Sequence, residues 1–178
     1  FSNDGGQQMI AVKEGACTSF ELSLSPDAPL VVTVRRFVGE LCGRIVADGD
    51  VTSRVIVATH ELLDNAVRYA SGDVTRIRVE LHRLAEEIGV VIVTKNRLDE
   101  DRSRQLDSIL GEMNASSDRA VYYRDLVRRA AEQVERSGLG LGRVHAEAGL
   151  DVSGRFEEDS VLIRAEGRFR LAKGAPLR

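Results

Sequence analysis

The stretch RVIVATHELLDNAVRYA, residues 54–70, combines an apolar helical stripe with a pair of polar residues at its border. Its apolar side chains recur at helical spacing, which predicts an amphipathic helix packed on a core. We expect the helix to stop at Ser71–Gly72, because glycine is common just past a helix C-terminus. Glu61 and Asn65 follow one another at i and i+4, so they share a face at the border of the buried stripe. The predicted stripe consists of Val55, Thr59, Leu62, Leu63, Ala66 and Ala70.

The segments around this helix predict a two-layer fold. Alternating apolar residues indicate strands, and stripes of period 3.6 indicate helices. The predicted order is strand 17–25, helix 25–46, helix 54–70, strands 74–82 and 88–96, helices 98–113 and 117–137, a short helix ending at Gly149, and a hairpin around Glu158–Asp159. The first helix would bury Leu30, Val31, Val34, Val38, Leu41 and Ile45. This order predicts an α+β fold, a two-layer α/β sandwich with helices on one face of a mixed sheet.

Length and composition bound the class of protein. The chain has 178 residues, 43% of them apolar and 30% charged, which is typical of one globular domain. We expect residues 1–10 to form a disordered tail, residues 11–172 one domain and residues 173–178 a C-terminal tail. The net charge of −3 does not favour a nucleic-acid partner.

Neither a membrane nor an oxidising compartment is indicated. No apolar run approaches the roughly 18 residues of a membrane span, and residues 1–10 lack the pattern of a secretion signal. Cys17 and Cys42 do not have the spacing of metal-binding cysteines. We therefore expect both to be reduced thiols in a cytoplasmic protein. The three histidines lie far apart in sequence, so we expect surface or interface residues and not metal ligands. They are His60, His82 and His145.

A second motif, RSGLGLGRVHAEAG at residues 136–149, places glycines at 138, 140 and 142 before a short amphipathic segment. Glycine lets the backbone come close to phosphate oxygens, and the start of a helix offers free N–H groups. The simpler interpretation is a helix end followed by a connector. A dinucleotide-binding fingerprint is excluded because it requires a preceding strand.

Glu61 and Asn65 have side chains suited to a magnesium site. Mg²⁺ prefers oxygen ligands, and Asn65 offers a neutral oxygen. Glu61 could orient a water or accept a proton from an attacking hydroxyl. The alternative is two polar residues on a solvated helix face. Together with the glycines, they favour a site in which Gly138 and Gly140 close over a triphosphate. Arg68 is expected simply to pair with Asp64.

The segment ELLDNAVRY resembles the N-box of the GHKL (Bergerat-fold) ATPases, which include bacterial anti-sigma serine kinases, histidine kinases and gyrase. SGLGLGRV resembles the G2 glycine box of that superfamily, and both boxes occur in the family order. The resemblance spans about residues 17–171. It is strongest to a bacterial single-domain group acting on STAS-type partners, whose spacing Asn96, Leu106 and Tyr123 follow.

This resemblance implies a function. Members of the class are Mg-ATP-dependent kinases of a Ser or Thr on a small anti-sigma-antagonist-like protein, so ATP and Mg²⁺ are the implied cofactors. A STAS-domain or similar small regulatory protein is the implied partner. Glu61 resembles the catalytic or water-orienting acid, and Asn65 resembles the Mg²⁺ ligand. In the family, a lid covers the phosphates of the nucleotide. The residues that resemble this lid are Gly138, Leu139, Gly140 and Leu141.

The chain departs from the family at the adenine-binding box. Asp-x-Gly-x-Gly should follow the central strand, but residues 94–101 read TKNRLDED. Asn96, or else Asp99, would have to recognise adenine. A second function therefore stays open: a catalytically degenerate module that binds or sequesters a regulatory partner without ATP turnover. The sensor half of a histidine kinase is disfavoured, since no phosphoacceptor His lies on a long dimerisation helix. A homodimer is left open.

Overall fold

A computed structural model of the chain describes Gly15 and residues 17–46, 48–132 and 138–172. In these ranges the elements are β1 Cys17–Leu24, α1 Ala28–Ile45, α2 Gly49–Arg68, β2 Thr75–Leu84, β3 Glu87–Arg97, α3 Glu100–Ala115, α4 Arg119–Glu132, α5 Leu139–Ala146, β4 Asp151–Glu157 and β5 Ser160–Arg170. The predicted order of strands and helices is confirmed. The predicted tails, 1–10 and 173–178, lie outside the described residues.

The strands form one sheet in the order β1-β2-β3-β5-β4, and the helices pack on it. The predicted two-layer α/β arrangement is confirmed. The sheet differs from the expected mixed one in that every pairing among the described strands is antiparallel. The reason is that β4 occupies the edge of the sheet. The final hairpin therefore returns β5 to the position beside β3, and β5 runs antiparallel to β3.

Helices α1 and α2 bury most of the residues that their sequences predict, but Leu41 is only half-buried, and α2 ends at Arg68, before the predicted stop, so that Ala70 lies beyond it and is also half-buried. Leu30 is 37% exposed in the first turn of α1, while Cys42 is fully buried in its place on the stripe. Helix α2 begins at Gly49, before the predicted start at residue 54. The Asp48 side chain accepts hydrogen bonds from the N–H groups of Asp50 and Val51, which satisfies free donors of the first turn.

The packing of α2 determines where a site can form. It lies against β3 on one side and α5 on another, so the middle of α2 meets the start of α5. Helix α3 packs beside them and buries Leu110 and Met113. Within the described ranges, no helix is both long and apolar enough to cross a membrane.

Candidate functional site

The middle of α2 and the start of α5 are in direct contact. A Cβ placed on Gly140 would lie 2.8 Å from Oε2 of Glu61 and 3.1 Å from Nδ2 of Asn65. Real Cβ atoms essentially never come as close to another heavy atom as the first of these distances, so a side chain at position 140 would require the end of the Glu61 side chain to shift. The structure therefore brings together the acid, the amide and the glycine stretch that the sequence singled out.

The glycine stretch is the beginning of a helix and not an open loop. Gly138 has a φ of +84°, a left-handed conformation that favours glycine, and it precedes the helix Leu139–Ala146. Gly142 lies inside that helix, where an added Cβ would come within 2.8 Å of Cδ2 of Leu126 on α4. The three glycines thus serve different purposes: a turn, a contact with α2 and a contact with α4.

Arg143 fixes the orientation of Glu61. Its Nη1 donates to Oε1 of Glu61 at 3.0 Å, and its Nε donates to Oε2 of Glu147 at 2.7 Å. The Glu147 hydrogen bond, followed by the Glu61 hydrogen bond, raises the pKa of Arg143, although desolvation opposes them. Tyr123 of α4 lies close by, and burial, followed by the negative charge of Glu147, raises the pKa of its phenol. Glu61 therefore lies beside a permanent cation, and only 16% of its side chain is exposed.

Asn65 lines a small cleft between α2, β3, α3 and α5. The volume of the cleft is about 60 Å³, well below the ~300–1,000 Å³ of typical small-molecule sites. Ile109 of α3 occupies the space next to Gly138, where an added Cβ would lie 3.1 Å from its Cγ2. The cleft is therefore too small for a nucleotide as it stands, and Ile109 of α3 is one of the side chains that narrow it. The polar residues on its wall are Asn65, Tyr69, Thr94, Asn96, Arg102 and Gln105.

The two residues proposed for adenine recognition occupy different places. Asn96, near the end of β3, is 5% exposed and lines the cleft, with its Nδ2 donating to the carbonyl of Arg97 at 3.1 Å. Asp99 instead caps α3, where its Oδ1 accepts a hydrogen bond from the N–H of Arg102 at 2.8 Å. Asn96 therefore faces the candidate site, and Asp99 has a structural role.

Several residues beside the site were not predicted from the sequence. Arg143 lies three residues after Gly140, and helical spacing could have placed both on the face towards α2. Arg102 lies over the ring of Tyr69, 5.1 Å from its centroid, at the mouth of the cleft. No sequence signal connects these two, because their contact depends on how α3 packs. The expected Arg68–Asp64 pair is confirmed at 2.7 Å.

The fold and site together define a two-layer α/β protein with an interhelical cleft beside a glycine-rich helix start. No protein-family model matches the sequence, and no curated protein matches it either. Among solved structures, the chain is similar to one in the crystal structure of the SiaB–SiaC complex from Pseudomonas aeruginosa. The TM-score is 0.57 at 18% sequence identity, and the match covers 86% of this chain and 89% of that chain. At this identity the likeness shows the fold alone.

Proposed function

We propose that the chain is a GHKL-like regulatory protein that binds Mg-ATP and phosphorylates a Ser or Thr of a small STAS-like partner. The observation that carries this proposal is the close approach of Gly140 to Glu61 and Asn65. Two motifs that resemble family boxes lie about 75 residues apart in sequence, and they meet at one point of the fold. Phosphoryl transfer depends mainly on positioning the reacting groups and on neutralising the charge of the phosphates. Both require that the residues of the two motifs lie close together.

Each residue has a defined task in this proposal. Asn65 would hold Mg²⁺, which neutralises phosphate charge when bound, and its amide makes no hydrogen bond to another described side chain or backbone group. The backbone N–H groups at the start of α5, which follow the Gly138 turn, would donate hydrogen bonds to phosphate oxygens. Glu61 would take the proton of the partner hydroxyl as its oxygen attacks the γ-phosphorus and ADP leaves. Arg143 would keep the Glu61 carboxylate in place.

The small cleft supports a second candidate, a degenerate module that binds a regulatory partner without ATP turnover. The volume of about 60 Å³ and the position of Ile109 against Gly138 leave no room for a nucleotide without a rearrangement of the cleft. The residues after β3 also lack the glycines of the family's adenine box. The similar chain comes from a complex of two proteins, SiaB and SiaC, which supports the partner-binding part of both candidates.

Phosphoryl transfer to a purified partner distinguishes the two candidates. The full chain is used to isolate its partner, which is then incubated with the chain and γ-labelled Mg-ATP, and the modified residue is mapped. The kinase proposal expects label on a Ser or Thr, with transfer slowed by about 100-fold or more in Glu61→Gln, the loss typical of a missing general base. Asp64→Asn is the matched control, since Asp64 pairs with Arg68 of its own helix, whereas Glu61 pairs with Arg143 of α5. A stable complex without transfer would instead support the degenerate module.

A further inference from the structure

We propose that Cys17, Glu80 and His82 form a binding site for a zinc-class divalent cation on the face of the sheet that points away from the described helices. Cys17 on β1 and His82 on β2 are direct partners in the antiparallel ladder, so their side chains leave the sheet on the same face. Glu80 lies two residues before His82, and therefore also on this face. Cys17 and His82 are 65 residues apart in sequence, so motifs based on short spacings between metal ligands do not detect this arrangement.

The three potential ligand atoms are close enough to share one ion. Cys17 Sγ, His82 Nε2 and a carboxylate oxygen of Glu80 all lie within 4.8 Å of one another. The Sγ–Nε2 distance is 3.9 Å, and the Nε2–Oε2 distance is 3.0 Å. Tetrahedral zinc with bonds of about 2.0–2.3 Å separates its ligands by roughly 3.3–3.6 Å. The two measured pairs are therefore within a few tenths of an ångström of the required spacing, and the third pair, Cys17 Sγ and the Glu80 carboxylate oxygen, lies within 4.8 Å, so side-chain rotation can bring all three atoms around one ion.

Arg78 prepares the carboxylate for this role. Its Nη2 lies 2.5 Å from Oε1 of Glu80, while Oε2 of Glu80 faces His82. One carboxylate oxygen is thus held by the arginine, and the other is directed towards the shared position. Protein metal sites commonly orient their ligands through such outer hydrogen bonds.

The donor set selects the class of metal. A thiolate, an imidazole and a carboxylate together suit zinc, whereas Mg²⁺ and Ca²⁺ prefer oxygen ligands alone. Binding would convert Cys17–SH into a Zn–S bond and release the thiol proton to solvent, so two anionic ligands balance the 2+ charge. A water molecule would complete four-coordination.

This site is separate from the cleft beside Asn65. The cleft is lined by Thr94 and Ile163, which belong to the helix-covered side of the sheet, whereas His82 pairs with Gly89 on the opposite side. A bound ion would link the edge strand β1 to β2. We therefore expect it to raise the thermal stability of the chain without changing the cleft.

Metal titration of the full chain tests the proposal. After EDTA treatment and removal of the chelator, the chain is titrated with ZnCl₂ against a chromophoric competitor and, separately, with CoCl₂. We expect one equivalent to bind, a thiolate-to-cobalt absorption band, and an upward shift in melting temperature with Zn²⁺. Cys17→Ser and His82→Gln should each weaken binding by about 100-fold or more, exceeding the usual cost of losing an outer hydrogen bond.

The chain supplies matched controls for both variants. Cys42→Ala removes the other cysteine, which is buried and whose thiol pKa is raised to about 12 by desolvation, and His60→Gln removes a histidine on α2. Both should bind Zn²⁺ as the unchanged chain does. The proposal is overturned if no stoichiometric binding occurs, or if Cys17→Ser and His82→Gln, shown to be folded by circular dichroism, bind as tightly as the controls.

Discussion

Gly140 of α5 lies so close to Glu61 of α2 that a Cβ at position 140 would be 2.8 Å from Oε2 of the Glu61 carboxylate. One turn further along α5, Arg143 donates to the other oxygen of the same carboxylate. Helix α5 thus holds one oxygen of Glu61 by a hydrogen bond, and its Gly140 leaves space for the other oxygen. The position of the proposed catalytic acid depends on α5 as much as on its own helix.

Gly140→Ala should separate stability from function. Alanine gains up to about 1 kcal/mol of helix propensity, while its methyl group displaces the Glu61 carboxylate, so the free energy of unfolding should change by less than about 1 kcal/mol. Binding of Mg-ATP should fall sharply, because Glu61 and Asn65 are both pushed from their positions. Urea denaturation and ATP titration measure the two effects.

Gly43→Ala on α1 is the matched control for that variant. Its added Cβ would meet nothing within 4 Å, so it should stabilise the chain by about 0.5–1 kcal/mol and leave ATP binding unchanged. If Gly140→Ala binds Mg-ATP as tightly as the control, the glycine is required only for packing.

The Arg143–Glu61 ion pair should show a measurable but modest coupling energy. Glu61 is 16% exposed and Arg143 is 44% exposed, so solvent screens the pair and limits its contribution to about 1 kcal/mol. A double-mutant cycle with Arg143→Met and Glu61→Gln, followed by urea denaturation, gives this energy. The Arg68–Asp64 pair is the comparison, and at i, i+4 it should give about 0.3–0.5 kcal/mol. A coupling no larger than that would mean that Arg143 does not hold Glu61.

Ile109→Ala should enlarge the cleft. The shorter side chain leaves the space beside Gly138, so Mg-ATP should bind several-fold more tightly if α3 limits entry. The half-buried isoleucine should cost about 1–2 kcal/mol of stability, less than a fully buried one. Ile56→Ala, on α2 against Gly39, is a control of similar burial outside the cleft lining and should leave affinity unchanged. Equal affinities for both variants would count against α3 as the barrier.

The patterns of the sequence were enough to predict the described elements in order, because burial follows the helical or strand period in most segments and β3 is apolar nearly throughout. Strand β2 shows this directly: Ile77, Val79 and Leu81 are buried, while Arg76 and Arg78 between and beside them are exposed. The early start of α2 was not predicted, since it depends on a cap from Asp48 that only the folded backbone reveals. The antiparallel sheet likewise depends on β4 taking the edge.

The candidate site was predictable only in part. Helical spacing placed Glu61 and Asn65 on one face, and the family resemblance connected them with the glycines. The 2.8 Å approach at Gly140, the Arg143 hydrogen bond and the position of Ile109 all follow from helix packing, which sequence periodicity does not specify. The Cys17–His82 pairing follows from strand register, whereas sequence spacing alone led us to expect that neither residue binds a metal.

Asp48 should make stability depend on pH in the acid range. Hydrogen bonds from the N–H groups of Ala172, Val51 and Asp50 lower the pKa of Asp48 below its usual 3.8, with Ala172 the strongest contributor and desolvation opposing. A lowered carboxyl pKa contributes stability above the unfolded pKa, and this contribution is lost as the pH falls through the folded pKa. Asp48→Ala should therefore cost about 1 kcal/mol at pH 7, typical of a helix cap, and progressively less as the pH falls below 3.8.

Asp27→Ala is the control, because Asp27 precedes α1 without a capping hydrogen bond from its side chain. Its effect should be small and should not follow the same acid transition. Urea denaturation across pH 2.5–7 measures both. An Asp48→Ala cost that stays constant over this range would show that the cap does not require the charged carboxylate.

Titration calorimetry of the full chain with ATP, in the presence and absence of Mg²⁺, tests whether the chain holds a nucleotide site. We expect saturable binding of one ATP that requires Mg²⁺ and that weakens by about tenfold or more in Asn65→Ala, as expected for loss of a metal ligand. Asn114→Ala, an exposed position on α3, should bind as the unchanged chain does. Absence of ATP binding, or binding that Asn65→Ala leaves unaltered, would contradict the nucleotide site.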